Sequence, residues 1–295
     1  MKWYEHVQEA RRQKYLASHA NYYAHPATAA IDPFRIADKL YYVGDKKVCG
    51  HLIETDDGLI LLDSGFYHTT HLLTESIRKL GFDPADVRWI LHTHEHFDHF
   101  GAAEEFRTLY GTRLAISAVG AEALREHPER ALMGWSNSVY QEIPTFDYEL
   151  QDGEIFEFGG AKIRCVLTPG HAMGVMSFFF DVTDDGETYP VGLFGGAGHG
   201  AMTVEYMKSV SLPMDMPQKM LASLDAMEKE NVVVHLGNHP GNNKTLQKRE
   251  QQLQEGGNPF IDPDSWKLFL AELREKTVEI IAENEKKLLE HGEMA

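Results

Sequence analysis

The chain has 295 residues, of which 43% are hydrophobic and 25% are charged, a composition typical of a globular protein with a large core. Its 45 acidic and 28 basic side chains give a net charge of −17, and this charge, without any basic stripe, disfavours nucleic acid as a partner. Because no run of about 18 apolar residues occurs and the N-terminus lacks the apolar segment of a secretory signal, we expect neither a membrane span nor export, and therefore a cytoplasmic location.

The first part of the chain divides into a polar helical extension and a strand-rich region. Residues 1–20 have helical spacing, and the linker HPATAAIDPF follows them, so we expect an N-terminal helical extension over 1–32 and one large domain over 33–295. The predicted strands of the first half are KLYYVG, VCGHLIET, GLILLDSG, VRWILHT and RLAIS. Two helices, THLLTESIRKLG and HFGAAEEFRTLYG, lie between them and end at glycines.

The second half repeats this alternation of strands and helices. Its predicted strands are TFDYEL, EIFEFGG, KIRCVLT, VMSFFFDV, VGLFGG and VVVHLG. A helix is expected at MPQKMLASLDAMEKEN, and a long amphipathic helix runs from Asp264 onward. Two strand-rich halves with outer helices predict an α/β fold in which two packed sheets are covered by helices on both faces. Cys49 and Cys165 lie in apolar runs, which favours reduced, buried thiols over a disulfide.

The segment LHTHEHFDHFG, residues 91–101, concentrates side chains that bind metals. His94 and His96 alternate in an extended segment, so they project to the same side and can bind one ion. Asp98 and His99 follow where the chain turns, and they can bind a neighbouring ion. Each ion needs a further ligand, and His171 in LTPGHAMG and His239 in LGNHPGNN occur in turns that follow strands.

The metal most compatible with these ligands is Zn²⁺, because low-coordinate sites rich in imidazole suit it. Six ligands make two three-ligand sites, each with an open position, which predicts two ions. Two further histidines receive a structural interpretation. His92 is out of phase with His94 and His96 and is expected to make a structural hydrogen bond, and His235 is expected to be a buried strand residue.

These motifs give the chain a resemblance to the metallo-β-lactamase superfamily, because LLDSG, THEHFDHFG, TPGHAMG, FGGAG and GNHPG occur in that family's order and approximate spacing. The closest resemblance is to the third subclass of metallo-β-lactamases, through PFRIADKLYYVG, GFYHTTHLL and HPGNN. The resemblance implies an αββα sandwich of two mixed β-sheets flanked by helices. It also implies a first zinc bound by three histidines and a second bound by an aspartate and two histidines. The matching residues are His94, His96 and His171 for the first ion and Asp98, His99 and His239 for the second.

One turn of the sequence departs from the pattern of most members of the superfamily. Most superfamily members carry an aspartate or cysteine ligand in the turn that reads FGGAGHG here, where Gly196 or Ala197 stands instead. This disfavours the glyoxalase-type thioesterases and the quorum-signal lactonases, agrees with the third subclass, and predicts a weaker second site. Asp63 in LLDSG is expected to support the ligands by hydrogen bonding, with turn capping as the alternative.

The expected reaction is hydrolysis of a small molecule, in which a metal-bound hydroxide attacks the carbonyl of a cyclic amide, β-lactam or lactone. Asp98 and His239 are expected to take part in catalysis as well as in metal binding. Candidate substrate contacts, each equally compatible with a loop role, are Phe66, Tyr67, His68, His199 and Asn242. The segment AMTVEYMKSVSLPMDM is either a lid over the site or a surface helix.

Two other functions stay open at this point. One is a cytoplasmic metallo-hydrolase of another ester or thioester metabolite with little lactamase activity. The other is a non-catalytic relative that binds a ligand, which the complete set of six ligands disfavours. The sequence does not determine the oligomeric state.

Overall fold

The structure is a computed structural model that describes residues 2–136, 138 and 141–293. Within the described residues, none of the helices combines the length and the apolarity needed to span a bilayer. The strands assemble into one seven-stranded sheet and one five-stranded sheet. Helices lie on the outer face of each sheet, so the predicted α/β sandwich of two mixed sheets is confirmed.

The first sheet has its seven strands in chain order. These are β1 (Phe34–Ala37), β2 (Leu40–Tyr42), β3 (His51–Thr55), β4 (Gly58–Leu62), β5 (Val87–Leu91), β6 (Arg113–Ser117) and β7 (Tyr148–Leu150). The first three pairings are antiparallel, and β4 to β7 pair in parallel. The parallel half therefore brings the carboxyl ends of β4, β5 and β6 to one edge of the sandwich.

The second sheet has the order β12-β11-β10-β9-β8. Its strands are β8 (Ile155–Phe158), β9 (Ala161–Leu167), β10 (Met176–Asp184), β11 (Glu187–Leu193) and β12 (Val234–Leu236). All neighbours are antiparallel except β11 and β12, which pair in parallel. Apolar side chains of both sheets, with Phe178, Leu193 and Leu62 among them, form one buried cluster between the layers.

The helices cover both faces. They are α1 (Trp3–Ala24), α2 (Thr70–Lys79), α3 (Ala103–Tyr110), α4 (Ala118–Glu126), α5 (Val204–Ser209), α6 (Met216–Met227), α7 (Thr245–Glu255) and α8 (Ser265–Glu290). A second core cluster packs α2, α3, α4 and Tyr22 of α1 against the first sheet. A third packs α5, α6 and α8 against the second sheet.

The N-terminal extension does not stand apart from the rest of the chain. Helix α1 packs along α5, and its first turn meets the end of α8, where Trp3 stacks on His291 with ring centroids 3.9 Å apart. The hydroxyl of Tyr22 donates to the buried carboxylate of Asp45 at 2.8 Å. Both ends of α1 are thus fixed to the body of the protein.

Candidate metal centre

The predicted ligands meet at one edge of the sandwich because each follows the carboxyl end of a strand. The histidine segment follows β5, His171 follows β9 and His239 follows β12. Asp63 directly follows β4, the parallel neighbour of β5. In α/β sheets this edge is where ligands characteristically bind.

The six predicted ligands fall into two groups of three. His94, His96 and His171 each offer a ring nitrogen, and these atoms all lie within 4.8 Å of one another. Within this first trio, Nε2 of His171 lies 3.0 Å from Nδ1 of His96. The ring of His94 lies 4.7 Å from that of His96 and 4.8 Å from that of His171, measured between centroids.

The second trio consists of Asp98, His99 and His239, with the same limit of 4.8 Å between its ligand atoms. The carboxylate Oδ2 of Asp98 lies 3.6 Å from Nε2 of His99 and 3.7 Å from Nε2 of His239. The two trios adjoin, because the rings of His94 and His99 are 4.1 Å apart. The arrangement therefore matches the two ligand sets expected from the resemblance.

Hydrogen bonds on the outer side of each ring fix which nitrogen faces inward. Nδ1 of His171 is 2.7 Å from the carbonyl oxygen of Gly198, and Nδ1 of His239 is 2.9 Å from that of Lys47. A carbonyl oxygen only accepts, so each Nδ1 carries the proton and donates it. The Nε2 lone pair of both rings is left free to face the site.

Asp63 connects the two trios. Its Oδ2 accepts from Nδ1 of His99 and from the hydroxyl of Thr93, both at 2.8 Å, and its Oδ1 accepts from the Thr93 amide at 2.8 Å. Because the Thr93 hydroxyl gives its proton to Asp63, its oxygen accepts from Nδ1 of His94 at 3.0 Å. One carboxylate thereby orients a ring in each trio, which agrees with the supporting role expected of Asp63.

The donor set of the first trio fits a bound cation. Nε2 of His94 is buried and has no hydrogen-bond partner among the described residues. Burial, followed by the repulsion between neighbouring imidazoles, holds the pKa of His94 and of His96 well below its usual value. Burial lowers the pKa of His171 to about 4. Three neutral rings whose nitrogens converge fit a positive ion, since an unpaired buried acceptor such as Nε2 of His94 is costly.

The second trio fits a cation for a different reason. Burial alone would lower the pKa of His99, but the carboxylates of Asp98 and Asp63 outweigh it and raise that pKa. Asp98 supplies the only carboxylate of the six predicted ligands, and its side chain is 15% exposed. A mixed oxygen and nitrogen set of this kind suits a divalent metal.

A cavity of about 350 Å³ opens beside both trios. His96, Asp98 and His239 form part of its floor. Its walls come from elements that are distant in sequence: α1 contributes Gln8, Arg11 and Tyr15, the segment after α4 contributes Leu132 and Trp135, and α5 contributes Tyr206. The size is in the range of small-molecule sites.

The predicted substrate contacts lie elsewhere. Phe66 is 3% exposed and packs on Tyr22 and Phe97, so the structure places it in the core and the prediction that it forms a cleft wall is wrong. His68 packs between Tyr22 and Tyr23, and Tyr67 is 37% exposed. In the described part of the chain, the lining of the 350 Å³ cavity includes none of the three.

His199 and Asn242 line a second cavity of about 230 Å³, on the other side of His239. The two cavities share Gly198 and His239. The structure thus places this pair next to the metal centre but in a separate recess.

His92 and His235, the two histidines expected to have structural roles, make such contacts. Nδ1 of His92 donates to the carbonyl of Ala115 at 2.9 Å, and His235 lies buried in β12 with Nδ1 3.1 Å from the Ser265 hydroxyl. Cys49 and Cys165 are buried, free thiols.

Sequence reasoning missed the residues that wall the cavity. The hydroxyl of Tyr206 lies 3.3 Å from Nε2 of His96, so it contacts a predicted ligand directly. Arg11, Tyr15 and Trp135 lie far from every motif in sequence, and only the packing of α1 brings them to the site. The sequence offers one signal for this wall, namely Tyr206 in an apolar run after a glycine-rich turn. That pattern is compatible with a lid over the site as well as with a wall of the cavity.

Comparison with known proteins agrees with this geometry. The sequence profile of the metallo-β-lactamase superfamily matches residues 51–185. A hydroxyacylglutathione hydrolase of Acidiphilium cryptum is 30% identical over 92 residues, which are 31% of this chain and 30% of that protein. An N-acyl homoserine lactonase of Rhizobium johnstonii is 29% identical over 115 residues, 35% of this chain and 40% of that protein. The matched segments therefore span well under half of these curated relatives.

Solved structures align over most of the chain. The FEZ-1 metallo-β-lactamase of Legionella gormanii superposes with a TM-score of 0.78 at 26% identity, covering 87% of this chain and 98% of that one. BJP-1 of Bradyrhizobium japonicum, a subclass B3 metallo-β-lactamase, gives 0.76 at 28% identity, covering 88% and 97%.

The shared fold, the profile match and the order of the motifs define the class: residues 51–185 match the metallo-β-lactamase superfamily, and the chain has the fold of solved metallo-β-lactamases. Within that superfamily its structural similarity extends to subclass B3 enzymes, which confirms the resemblance to the third subclass predicted from the sequence.

Proposed function

We propose that this protein is a zinc-dependent hydrolase that adds water to the carbonyl carbon of a cyclic amide, β-lactam or lactone and breaks its C–N or C–O bond, with His94, His96 and His171 binding one ion and Asp98, His99 and His239 the other. The observation that carries the proposal is the pair of trios, whose free nitrogens and carboxylate converge at the floor of a cavity. Profile and structural similarity to metal-dependent hydrolases support it.

The residues of this chain have separable tasks in the proposed reaction. When bound, the two ions would supply Lewis acidity, lowering the pKa of a water molecule and polarising the substrate carbonyl. Asp98 orients the attacking water through its carboxylate, which is open to the cavity. His239 also lines the cavity and positions the substrate's leaving side. The aromatic walls exclude bulk water from the reacting atoms.

The turn between β11 and α5 supports a cyclic amide over the substrates of glyoxalase-type thioesterases and quorum-signal lactonases. Gly196 lies against His171, where a Cβ atom would stand 3.0 Å from Cδ2 of that ring. A carboxylate or thiolate ligand, present in the corresponding turn of most superfamily members, is therefore missing from this position.

A second candidate is hydrolysis of an open-chain ester or thioester, with little lactamase activity. The match to a hydroxyacylglutathione hydrolase, 30% identical over 92 residues, favours it. The same metal centre would serve both reactions, so the two candidates differ in the shape of the substrate.

The test is turnover by the zinc-loaded protein of a chromogenic cephalosporin, a γ-lactone and a thioester, each with and without a chelator. We expect chelator-sensitive hydrolysis of the cephalosporin or the lactone, with a kcat/KM of roughly 10⁴ M⁻¹s⁻¹ or more. His96→Ala should abolish it, whereas His127→Ala, at a solvated site, should not. Turnover of the thioester alone would favour the second candidate, and no chelator-sensitive turnover of any of the three would contradict both.

A further inference from the structure

The N-terminal helix places one unpaired cation in the wall of the proposed active-site cavity. Arg11 of α1 is the only lysine or arginine that lines this cavity in the described part of the chain. It belongs to a chain with a net charge of −17, and it makes no ion pair with any described residue, whereas the next residue, Arg12, pairs with Glu9. A guanidinium left without a counter-ion beside a reaction centre is suited to binding an anionic group of a ligand.

The side chain of Arg11 is held in place by one of its three nitrogens. Nη1 donates to the hydroxyl of Thr203 at 2.7 Å and lies 3.5 Å from Oε1 of Gln8. Thr203 directly precedes α5, so this contact fixes the guanidinium between the two helices that wall the cavity. Nε and Nη2 have no protein partner among the described residues and keep three N–H donors for a ligand.

The nearby acidic groups do not neutralise Arg11. The carboxylate of Glu205 pairs with Nζ of Lys287 at 2.7 Å. Against the effect of burial, this ion pair lowers the pKa of Glu205, and the charge of Arg11 adds only a smaller effect through space. Asp98, on the cavity floor, belongs to the second trio and faces His99 and His239. The positive charge of Arg11 is therefore available to the cavity.

The rest of the wall near Arg11 is apolar and aromatic. Tyr15, one turn further along α1, packs against Trp135 with ring centroids 5.3 Å apart, and both border the cavity together with Leu132. A flat apolar group of a ligand would pack against this pair, at a site where an anionic group on the same ligand meets the guanidinium.

We propose that Arg11 is a specificity-determining residue that binds a carboxylate of the substrate, so that the substrates of this enzyme are anionic molecules with an aryl or acyl group. That the bound molecule is a substrate rests on the proposed function. Binding of its carboxylate to Arg11, however, needs only the residues of the cavity wall. Helix α1 is then part of the substrate site, since it supplies both the cation and one of the aromatic rings.

The experiment compares binding of 2-naphthoate and its uncharged analogue 2-naphthamide to the full chain by calorimetry. Chelator-treated protein is used first, so that the carboxylate cannot bind a metal, and zinc-loaded protein second. We expect the chelator-treated wild type to bind 2-naphthoate about tenfold or more tightly than 2-naphthamide, because a charge-assisted hydrogen bond contributes a factor of about that size to affinity. Arg11→Gln should reduce this preference to about twofold or less while leaving 2-naphthamide affinity unchanged, and Arg11→Lys should retain part of it.

Arg12→Gln is the matched control, because it removes one positive charge from the same helix at a side chain outside the cavity lining. It should keep the wild-type preference. The proposal is overturned if the wild type does not bind 2-naphthoate measurably or does not prefer it. It is also overturned if Arg11→Gln keeps the preference or weakens both probes equally, or if Arg12→Gln loses it. A zinc-loaded protein that hydrolyses none of the carbonyl substrates, yet shows the Arg11-dependent preference, would contradict the proposed function alone.

Discussion

Asp63 shows how one residue determines the geometry of several ligands. Its backbone has φ of +57°, in the left-handed region, which Asp and Asn tolerate better than most residues. From that position its carboxylate receives hydrogen bonds from Thr93 and His99, and through the Thr93 hydroxyl it orients His94. We therefore expect the free energy of metal binding to depend on Asp63, which is not one of the six predicted ligands.

Asp63→Asn tests this dependence, because asparagine keeps the size and the backbone conformation. An amide offers a single acceptor oxygen, so at least one of the donors from Thr93 and His99 loses its partner. We expect zinc affinity to fall about 10–100-fold, the usual effect of losing a hydrogen bond to a ligand. Competition titration with a chromophoric chelator measures it, with Asp57→Asn in an exposed turn as the control. Equal affinities for both variants would refute the role.

At position 198 there is room for the hydrogen atom of glycine but not for a Cβ atom. Its carbonyl accepts from His171, and a Cβ atom on Gly198 would lie 2.6 Å from Cε1 and 2.9 Å from Nδ1 of that ring. The requirement is close approach, since the φ of Gly198 is −69° and not left-handed. The glycine of this turn is thus part of the support of the first trio.

Gly198→Ala should displace the His171 ring and weaken the first site about tenfold or more, which the same chelator competition would measure. Gly241→Ala is the matched control, because Gly241 lies near His239 yet has open space where a Cβ atom would stand. If Gly198→Ala binds zinc with the affinity of the wild type, the close approach of Gly198 to the His171 ring does not affect metal binding.

At the residue scale, the sequence predicts the ligand set better than it predicts the substrate contacts. The spacing of His94, His96, Asp98 and His99 in one segment constrains their geometry locally, and the two trios follow from it. The cavity wall depends on contacts between α1 and α5, which lie almost 200 residues apart and which no local pattern encodes. Local patterns therefore place Phe66 at the cleft, wrongly, and give no sign of Arg11.

At the element scale, α5 explains why the segment AMTVEYMKSVSLPMDM is ambiguous in sequence. Val204, Glu205, Tyr206 and Met207 are all buried, so this short helix has no exposed polar face. A helix buried on nearly all sides lacks the polar and apolar stripes by which a surface helix is predicted. The long C-terminal helix, in contrast, is predictable because its pattern repeats over 26 residues.

Helix α8 holds the third core cluster together through Trp266. This side chain is 1% exposed and its Nε1 donates to the carbonyl of Met227 at the end of α6. Trp266→Ala should lower the free energy of unfolding by about 3–5 kcal/mol through the cavity it leaves. Urea denaturation measures this loss. Leu268→Ala, two residues along at a side chain that is 66% exposed, should change it by about 0.5 kcal/mol or less. Comparable losses in the two variants would show that α8 is not anchored by Trp266.

At the scale of the whole molecule, buried histidines couple stability to pH. Burial, and then the charge of Lys248, lowers the pKa of His235 to about 3. In the unfolded chain the same group has a pKa of about 6.5, so below that pH the unfolded state binds more protons and stability falls as the pH drops toward the folded value.

His235→Phe keeps the packing against Trp266 and Phe269 and removes the titrating group. Between pH 7 and pH 5 the wild type should lose about 2 kcal/mol more stability than the variant. Urea denaturation of both proteins at the two pH values, with a chelator present throughout so that metal binding does not contribute, measures the difference. Parallel losses in the two proteins would contradict a neutral, buried His235.

The two-sheet architecture is predictable at this scale because alternating strand and helix patterns restrict the possible layers. The position of α1 is not predictable from the sequence, because the polar sequence of residues 1–20 is equally compatible with a solvated extension. In the structure it instead closes one side of the cavity.

The most direct test of the central claim is the number of zinc ions bound per chain, determined by equilibrium dialysis and elemental analysis. We expect two ions for the wild type, the loss of one in His171→Ala, and the loss of the other in His239→Ala, with the second site the weaker of the two. A wild type that retains no zinc, or one whose stoichiometry neither substitution changes, would contradict that claim.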